Sequence, residues 1–157
     1  ILGANIQLSL ACFAQSTPGP LLTMVDRSMI EQLLMNLAIN ARDAMPEGGE
    51  LQIGMAGVDL YTAEAAALEL EPGDYIRITV ADTGCGIPPE LLSRIFEPFF
   101  TTKDIGKGSG LGLSVVYGIV QQHNGAINVE SRVGSGTTFT IYLPASEPDA
   151  LLETHHE

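Results

Sequence analysis

The stretch that most constrains this chain is Lys103 to Val116, which reads KDIGKGSGLGLSVV. Gly106, Gly108, Gly110 and Gly112 alternate with other residues and run directly into Leu111, Leu113, Val115, Val116, Ile119 and Val120, an apolar set that suits a helix. Glycine lets another molecule approach the backbone closely. A glycine run that feeds a helix N-terminus also presents unpaired N–H groups, and the helix dipole there favours negative charge. Lys103 and Lys107 place two of the chain's seven basic residues beside it. By itself the pattern reads as a phosphate-binding loop or as a glycine linker before an ordinary helix. What stands elsewhere in the chain has to choose between them.

Length and charge narrow the field. A chain of 157 residues is expected to form one domain with a proper core. Nineteen acids against seven bases give a formal net charge of −12, which argues against nucleic acid as a partner, because phosphate contacts need clustered Lys and Arg. A small polyanion remains compatible, since Lys103 and Lys107 gather at the glycine loop. Two cysteines, Cys12 and Cys85, make neither a disulfide framework nor a metal cluster and read as reduced thiols. No apolar run has the length of a membrane span. The chain opens on isoleucine and is expected to be a piece of a longer protein, with membrane anchoring of the whole left open.

In order, Asn5 to Ala11 alternates as a strand, Ser16 to Pro20 is a turn, and Leu21 to Val25 is a short strand candidate. Asp26 can cap a helix running to about Met45, whose Ile30, Leu33, Leu34, Leu37, Ala41 and Ala44 fall on one stripe. Asn36 and Asn40, four apart, stack on the flank of that stripe. They fit two roles: amides that bond backbone, or carbonyl oxygens for a hard cation such as Mg2+. Glu50 to Asp59 reads as a strand, Thr62 to Leu70 as a surface helix, and Tyr75 to Val80 as a strand that alternates Ile76, Ile78 and Val80 against Arg77 and Thr79. That strand runs into Asp82-Thr-Gly84-Cys-Gly86-Ile87, an acid beside a tight glycine turn. Pro88 begins a short helix to Phe96, and a second helix from Gly110 to about His123 ends at Asn124-Gly125. Ala126 to Arg132 and Thr137 to Leu143 form a hairpin through Val133 to Gly136. The acidic tail, residues 145–157, is expected to fray.

Four motifs now stand in order: Asn36-x-x-x-Asn40-Ala41, Asp82-x-Gly84-x-Gly86, Phe96-Glu-Pro-Phe-Phe-Thr-Thr-Lys103, and Gly108-x-Gly110-Leu-Gly112-Leu113. The set resembles the N, first glycine, F and second glycine boxes of the ATP-binding catalytic domain of sensor histidine kinases. That family shares a superfamily with DNA gyrase, heat-shock chaperone and mismatch-repair ATPases. The resemblance covers roughly Asn5 to Pro144 and implies a catalytic domain over residues 1–144.

The fold it implies is a two-layer α/β sandwich, with a mixed, largely antiparallel sheet packed against helices. ATP would lie between the Asn36–Asn40 helix and a lid from the F and second glycine boxes, Phe99 to Ser109. Carried over to this chain, the resemblance makes Asn40 the Mg2+ ligand and Asn36 a second polar contact. Asp82 accepts the adenine amino hydrogen, Gly84, Gly86 and Ile87 give the base room, and Thr137 supplies a hydroxyl nearby. Gly108, Ser109, Gly110, Leu111, Gly112 and Leu113 wrap the phosphates, and Lys103 and Lys107 steer the γ-phosphate.

Two departures bear on the reaction. The gyrase-like ATPases carry an acid, the general base that activates water, where this chain has Asn36, an amide that cannot take a proton. That favours phosphoryl transfer to a separate acceptor over hydrolysis by a gyrase-like ATPase module that drives conformational change. Many kinases also have a lysine three residues after the metal asparagine, and here it is Asp43, so that phosphate contact is either missing or made by Arg42 or the lid. The acceptor histidine of the family lies in a separate dimerisation domain. His123 stands at a helix end and His155 and His156 in the tail, where structural and solvated roles suffice. The implied partners are the parent's own dimerisation domain and a response-regulator receiver domain, in a homodimeric parent with this domain in the cytoplasm.

Overall fold

The computed structural model describes residues 6–12, 27–97 and 112–144. Five strands form one sheet: β1 (Ile6–Cys12), β2 (Gly49–Leu60), β3 (Gly73–Asp82), β4 (Ala126–Arg132) and β5 (Gly136–Pro144). Their spatial order is β1-β2-β3-β5-β4. The β1–β2 pair is parallel and the other three pairs are antiparallel. The sheet is therefore mixed and largely antiparallel, as expected. Helices α1 (Arg27–Ala44) and α3 (Gly112–Gln122) lie on it, and a short α2 (Thr62–Ala67) follows β2.

Alternation along the strands decides which face is buried. On β3, Ile76, Ile78 and Val80 point inward, and their partners on β5 are Leu143, Ile141 and Phe139. Those six join Leu33, Leu37 and Ala41 of α1 and Val116, Ile119 and Val120 of α3 in one core. The α1 and α3 residues recur at helical spacing, so each helix presents one apolar stripe to the sheet. No helix among the described residues is long and apolar enough to cross a membrane.

Two helices end elsewhere than the sequence suggests. The short helix after Pro88 is a 3₁₀ helix, Pro89–Arg94, that stops before Phe96. Consecutive prolines remove two backbone donors, and so short a segment settles into the tighter turn. Helix α2 stops at Ala67 because Glu69 turns left-handed (φ 60°) and the Leu70 N–H returns to the Ala65 carbonyl at 2.8 Å. That turn sends Leu68 and Leu70 onto a small satellite core of Leu60, Ala65 and Tyr75. Helix α3 is described from Gly112, the expected start at Gly110 lying outside the described residues, and it closes as the sequence indicates. Asn124 is left-handed (φ 59°) and the Gly125 N–H reaches the Val120 carbonyl at 2.9 Å. The Leu21 to Val25 strand, the Phe99 to Ser109 lid and the tail lie outside the described residues.

Candidate functional site

At one end of the sheet the inward-facing rows change character. Across β2, β3, β5 and β4 the register gives one row of Met55, Ile78, Ile141 and Ile127, then one of Ile53, Val80, Phe139 and Val129. The next row is Leu51, Asp82, Thr137 and Ser131. Three polar side chains thus occupy core-facing positions at the margin of the core. Asp82 and Thr137 are buried, with 8% and 4% of their surface exposed. Buried polar groups need partners, and these have them.

Asp82 Oδ1 accepts two backbone N–H groups, from Gly84 at 2.8 Å and from Thr137 at 3.3 Å. Oδ2 takes part in neither bond. Burial pushes the Asp82 carboxyl above its ordinary value, while the two N–H donors pull it back down. The result is a carboxylate with one oxygen tied to the fold and the other left as an acceptor.

Two close approaches hold the turn after Asp82 in place. The Cys85 N–H donates to the Ala44 carbonyl at the end of α1, 3.0 Å away, and the Cys85 carbonyl accepts from Gly134 in the β4–β5 hairpin at 2.8 Å. A Cβ on Gly84 would stand 2.5 Å from the Ala44 oxygen. Gly86 is left-handed (φ 77°), and a Cβ there would strike the Arg132 carbonyl. These glycines are thus demanded by the chain's own backbone. Making room for a ligand, the reason the sequence suggested, is not needed to explain them.

Ala44 also locates the asparagines. Asn36, Asn40 and Ala44 follow each other at four-residue intervals along one flank of α1, and Ala44 is what a Cβ on Gly84 would meet. The flank carrying both half-buried amides therefore runs into the Asp82–Gly86 turn. Arg42 reaches its neighbour: its Nη2 lies 3.3 Å from Asp43 Oδ1. Thr83 braces the same corner, its Oγ1 accepting the Glu50 N–H at 3.0 Å.

Asp82, Gly84, Gly86, Ile87 and Thr137 are brought together, with Asn36 and Asn40 on the adjoining helix flank. Gly112 is the first described residue of α3, and Leu113 packs half-buried against the core beside it. Phe96 of the F box lies between Tyr117 of α3 and Phe139 of β5, with ring centroids 5.2 and 6.4 Å away. Lys103, Lys107, Gly108, Ser109, Gly110 and Leu111 lie outside the described residues. His123 Nδ1 lies 2.8 Å from the Ile119 carbonyl, the expected structural role at a helix end.

Sequence reasoning missed Ser131. Its Oγ accepts the Ile87 N–H at 2.7 Å, lies 2.7 Å from Thr137 Oγ1 and donates to the Gly136 carbonyl at 3.1 Å. The signal was present: Ile127 and Val129 define the inward face of β4, and Ser131 is its next position.

Comparison with known proteins bears directly on this arrangement. Residues 25–147 match the family described as histidine kinase-, DNA gyrase B- and HSP90-like ATPase. The chain is 55% identical over 122 residues to the sensor kinase CckA of Brucella abortus, covering 76% of this chain and 13% of that protein. It is 43% identical over 121 residues to the sensor histidine kinase ZraS of Escherichia coli, covering 77% of this chain and 23% of that one. The chain thus spans less than a quarter of either curated relative. Among solved structures, the nucleotide-free catalytic domain of histidine kinase ThkA is 36% identical, with a TM-score of 0.63 over 89% of this chain and 79% of that one. The chain belongs to the histidine kinase-, DNA gyrase B- and HSP90-like ATPase family, and within it is an ATP-binding catalytic domain of the histidine kinase type.

Proposed function

We propose that this domain holds ATP over the Asp82–Thr137 row and delivers its γ-phosphoryl group to a histidine on a separate helical dimerisation domain. The phosphorylated histidine would then pass the group to an aspartate of a response regulator, within a homodimeric parent protein. The observation that carries this reading is the division of labour at Asp82. Oδ1 is held by Gly84 and Thr137, and Oδ2 remains to accept an exocyclic amino hydrogen. Adenine presents such an amino group there; guanine would present a carbonyl to a carboxylate.

The other roles are assigned as part of the same proposal. Gly84, Gly86 and Ile87 shape the turn beneath the base, and Thr137 adds a hydroxyl to its edge. Asn40 offers a half-buried amide oxygen on the flank that meets this turn, with Asn36 one helical turn away. Among the described residues no three His, Cys, Asp or Glu side chains gather to hold a metal unaided. One amide oxygen suits Mg2+, which takes few protein ligands and completes its shell with phosphate oxygens and water. Bound there, it would neutralise charge on the phosphates. The segment Lys103 to Leu113 supplies backbone N–H groups and two ammonium groups to those phosphates. Catalysis is then chiefly positioning and charge compensation. The bond from the γ-phosphorus to the bridging oxygen breaks, a bond to imidazole nitrogen forms, and ADP leaves. Asn36 cannot serve as a base for water, which supports transfer over hydrolysis.

Calorimetric titration of Asp82→Asn tests the reading. Asparagine keeps an oxygen for the two N–H groups but turns an amide donor toward the amino edge of the base. A charge-assisted hydrogen bond is worth roughly 1.5–3 kcal/mol, so ATP affinity should fall by more than about tenfold. Unchanged affinity would remove Asp82 from the site.

A further inference from the structure

We infer that Ser131 is a positioning residue for the Asp82 carboxylate: it closes a ring of hydrogen bonds that aims the free oxygen of that carboxylate at the ligand. The inference rests on the proposed binding of ATP at Asp82 and deepens it, because it names what holds the group that reads the base.

The residues of the ring lie side by side. Ser131 pairs with Thr137 across β4 and β5, and Thr137 pairs with Asp82 across β5 and β3. Asp82 Oδ1 accepts N–H groups from two directions, from Gly84 of the glycine turn at 2.8 Å and from Thr137 of β5 at 3.3 Å. Both donors lead to Ser131. From Gly84 the turn runs on to Ile87, whose N–H donates to Ser131 Oγ at 2.7 Å. From the Thr137 backbone, the side chain of the same residue reaches Ser131 Oγ, also at 2.7 Å. Asp82 and Ser131 therefore stand at opposite points of one closed ring. Ser131 further donates to the Gly136 carbonyl at 3.1 Å, and Gly136 packs so closely on β3 that a Cβ there would strike the Asp82 carbonyl.

The consequence falls on the direction of Oδ2. A carboxylate turns easily about its last side-chain bond, whose torsion is broad rather than staggered. What fixes the plane of the Asp82 carboxylate is the pair of N–H groups on Oδ1, and these hold one position only while the turn and β5 keep their register. At Cys85 the turn is tied by backbone alone, to Ala44 and to Gly134. Its end at Ile87 is tied by a side chain, the Ser131 hydroxyl. Removing that hydroxyl keeps the backbone ties, frees the Ile87 end of the turn and takes a partner from Thr137. The carboxylate then loses its set angle, and ordering Oδ2 against an amino group costs affinity.

A double-mutant cycle in ATP affinity tests this, by calorimetric titration with Mg2+ into the parent domain, Ser131→Ala, Asp82→Asn and the double variant. Ser131→Ala should weaken ATP binding about threefold to tenfold, the worth of one neutral hydrogen bond. In the Asp82→Asn background the same substitution should cost less than about twofold, because no carboxylate remains to be aimed. A residue that merely supported the fold would cost the same factor in both backgrounds. That result, or unchanged ATP affinity in Ser131→Ala, overturns the inference and leaves the ATP reading intact. An Asp82→Asn domain that binds ATP as tightly as the parent would instead defeat the reading of the site, and the inference with it. If Ser131→Ala does not fold, Ser131→Cys keeps the shape with only a weak acceptor and takes its place in the cycle, with the same expected and overturning results.

Discussion

Asp82 and Thr137 face each other across β3 and β5, and the Thr137 N–H donates to the Asp82 carboxylate at 3.3 Å. This pair stands where the inward rows of the sheet stop being hydrocarbon. The carboxylate is buried at the edge of the core because its neighbours along β3, Ile76, Ile78 and Val80, fix the face on which it falls. It is retained against the cost of burying charge.

That cost makes a prediction about pH. Burial raises the Asp82 carboxyl above its ordinary value near 3.8. An acid whose folded value is raised favours folding fully below its unfolded value, and loses that contribution as pH rises through the folded one. The nucleotide-free domain should therefore become less stable, relative to Asp82→Asn, as pH climbs from about 3.8 towards neutrality. Denaturant titrations of both proteins across that range check it. A stability difference that does not change with pH would show that Asp82 ionises as freely in the fold as in the unfolded chain.

The glycines separate by what surrounds them. Gly84→Ala would place a methyl group against the Ala44 carbonyl, and relief requires moving α1 or the turn, at a cost of about 1–3 kcal/mol. Gly118, exposed on α3, has nothing within 4 Å of a new Cβ. Gly118→Ala should stabilise by about 0.5–1 kcal/mol through helix propensity alone. Thermal melts of the two variants should move in opposite directions. Equal shifts would deny the Gly84–Ala44 packing its role.

Asn40 stands beside the apolar stripe of α1, and Leu37 stands within it. Leu37→Ala should cost about 2–5 kcal/mol, because Leu37 is 1% exposed and the cavity cannot collapse fully. Asn40→Ala should melt within about 1 kcal/mol of the parent yet lose the Mg2+-dependent part of ATP affinity. ATP titrations with and without Mg2+ decide the matter. A Mg2+ dependence that survives in Asn40→Ala would move the metal to another ligand.

Much of this fold is legible in the sequence, for reasons that can be named. Strand β3 announces itself because Ile76, Ile78 and Val80 alternate with Arg77 and Thr79, and Asn124-Gly125 marks the end of α3. Asp82 and Thr137 become recognisable through the motifs around them. The strand order is less legible, because period-2 alternation fixes a face but not a neighbour. Nothing in Ile6–Cys12 states that it pairs in parallel with β2. The reason for glycine at 84 lies in a contact with Ala44, forty residues earlier, which no local pattern records. Ser131 was hidden differently. It occupies an inward position that the alternation of β4 predicts, but its meaning comes from three partners on two other segments, the glycine turn and β5.

The most direct test of the account supplies labelled ATP and Mg2+ to this chain with and without a histidine-bearing dimerisation domain added as a separate polypeptide. Alone, the chain should neither retain acid-labile phosphate nor release inorganic phosphate at more than a trace rate. His123 is engaged with the Ile119 carbonyl, and Asn36 cannot activate water. With the dimerisation domain present, that added polypeptide should acquire a label that is acid-labile and alkali-stable, as a phosphoramidate is. Label on His123 of the isolated chain, or brisk release of inorganic phosphate without an acceptor, would contradict it.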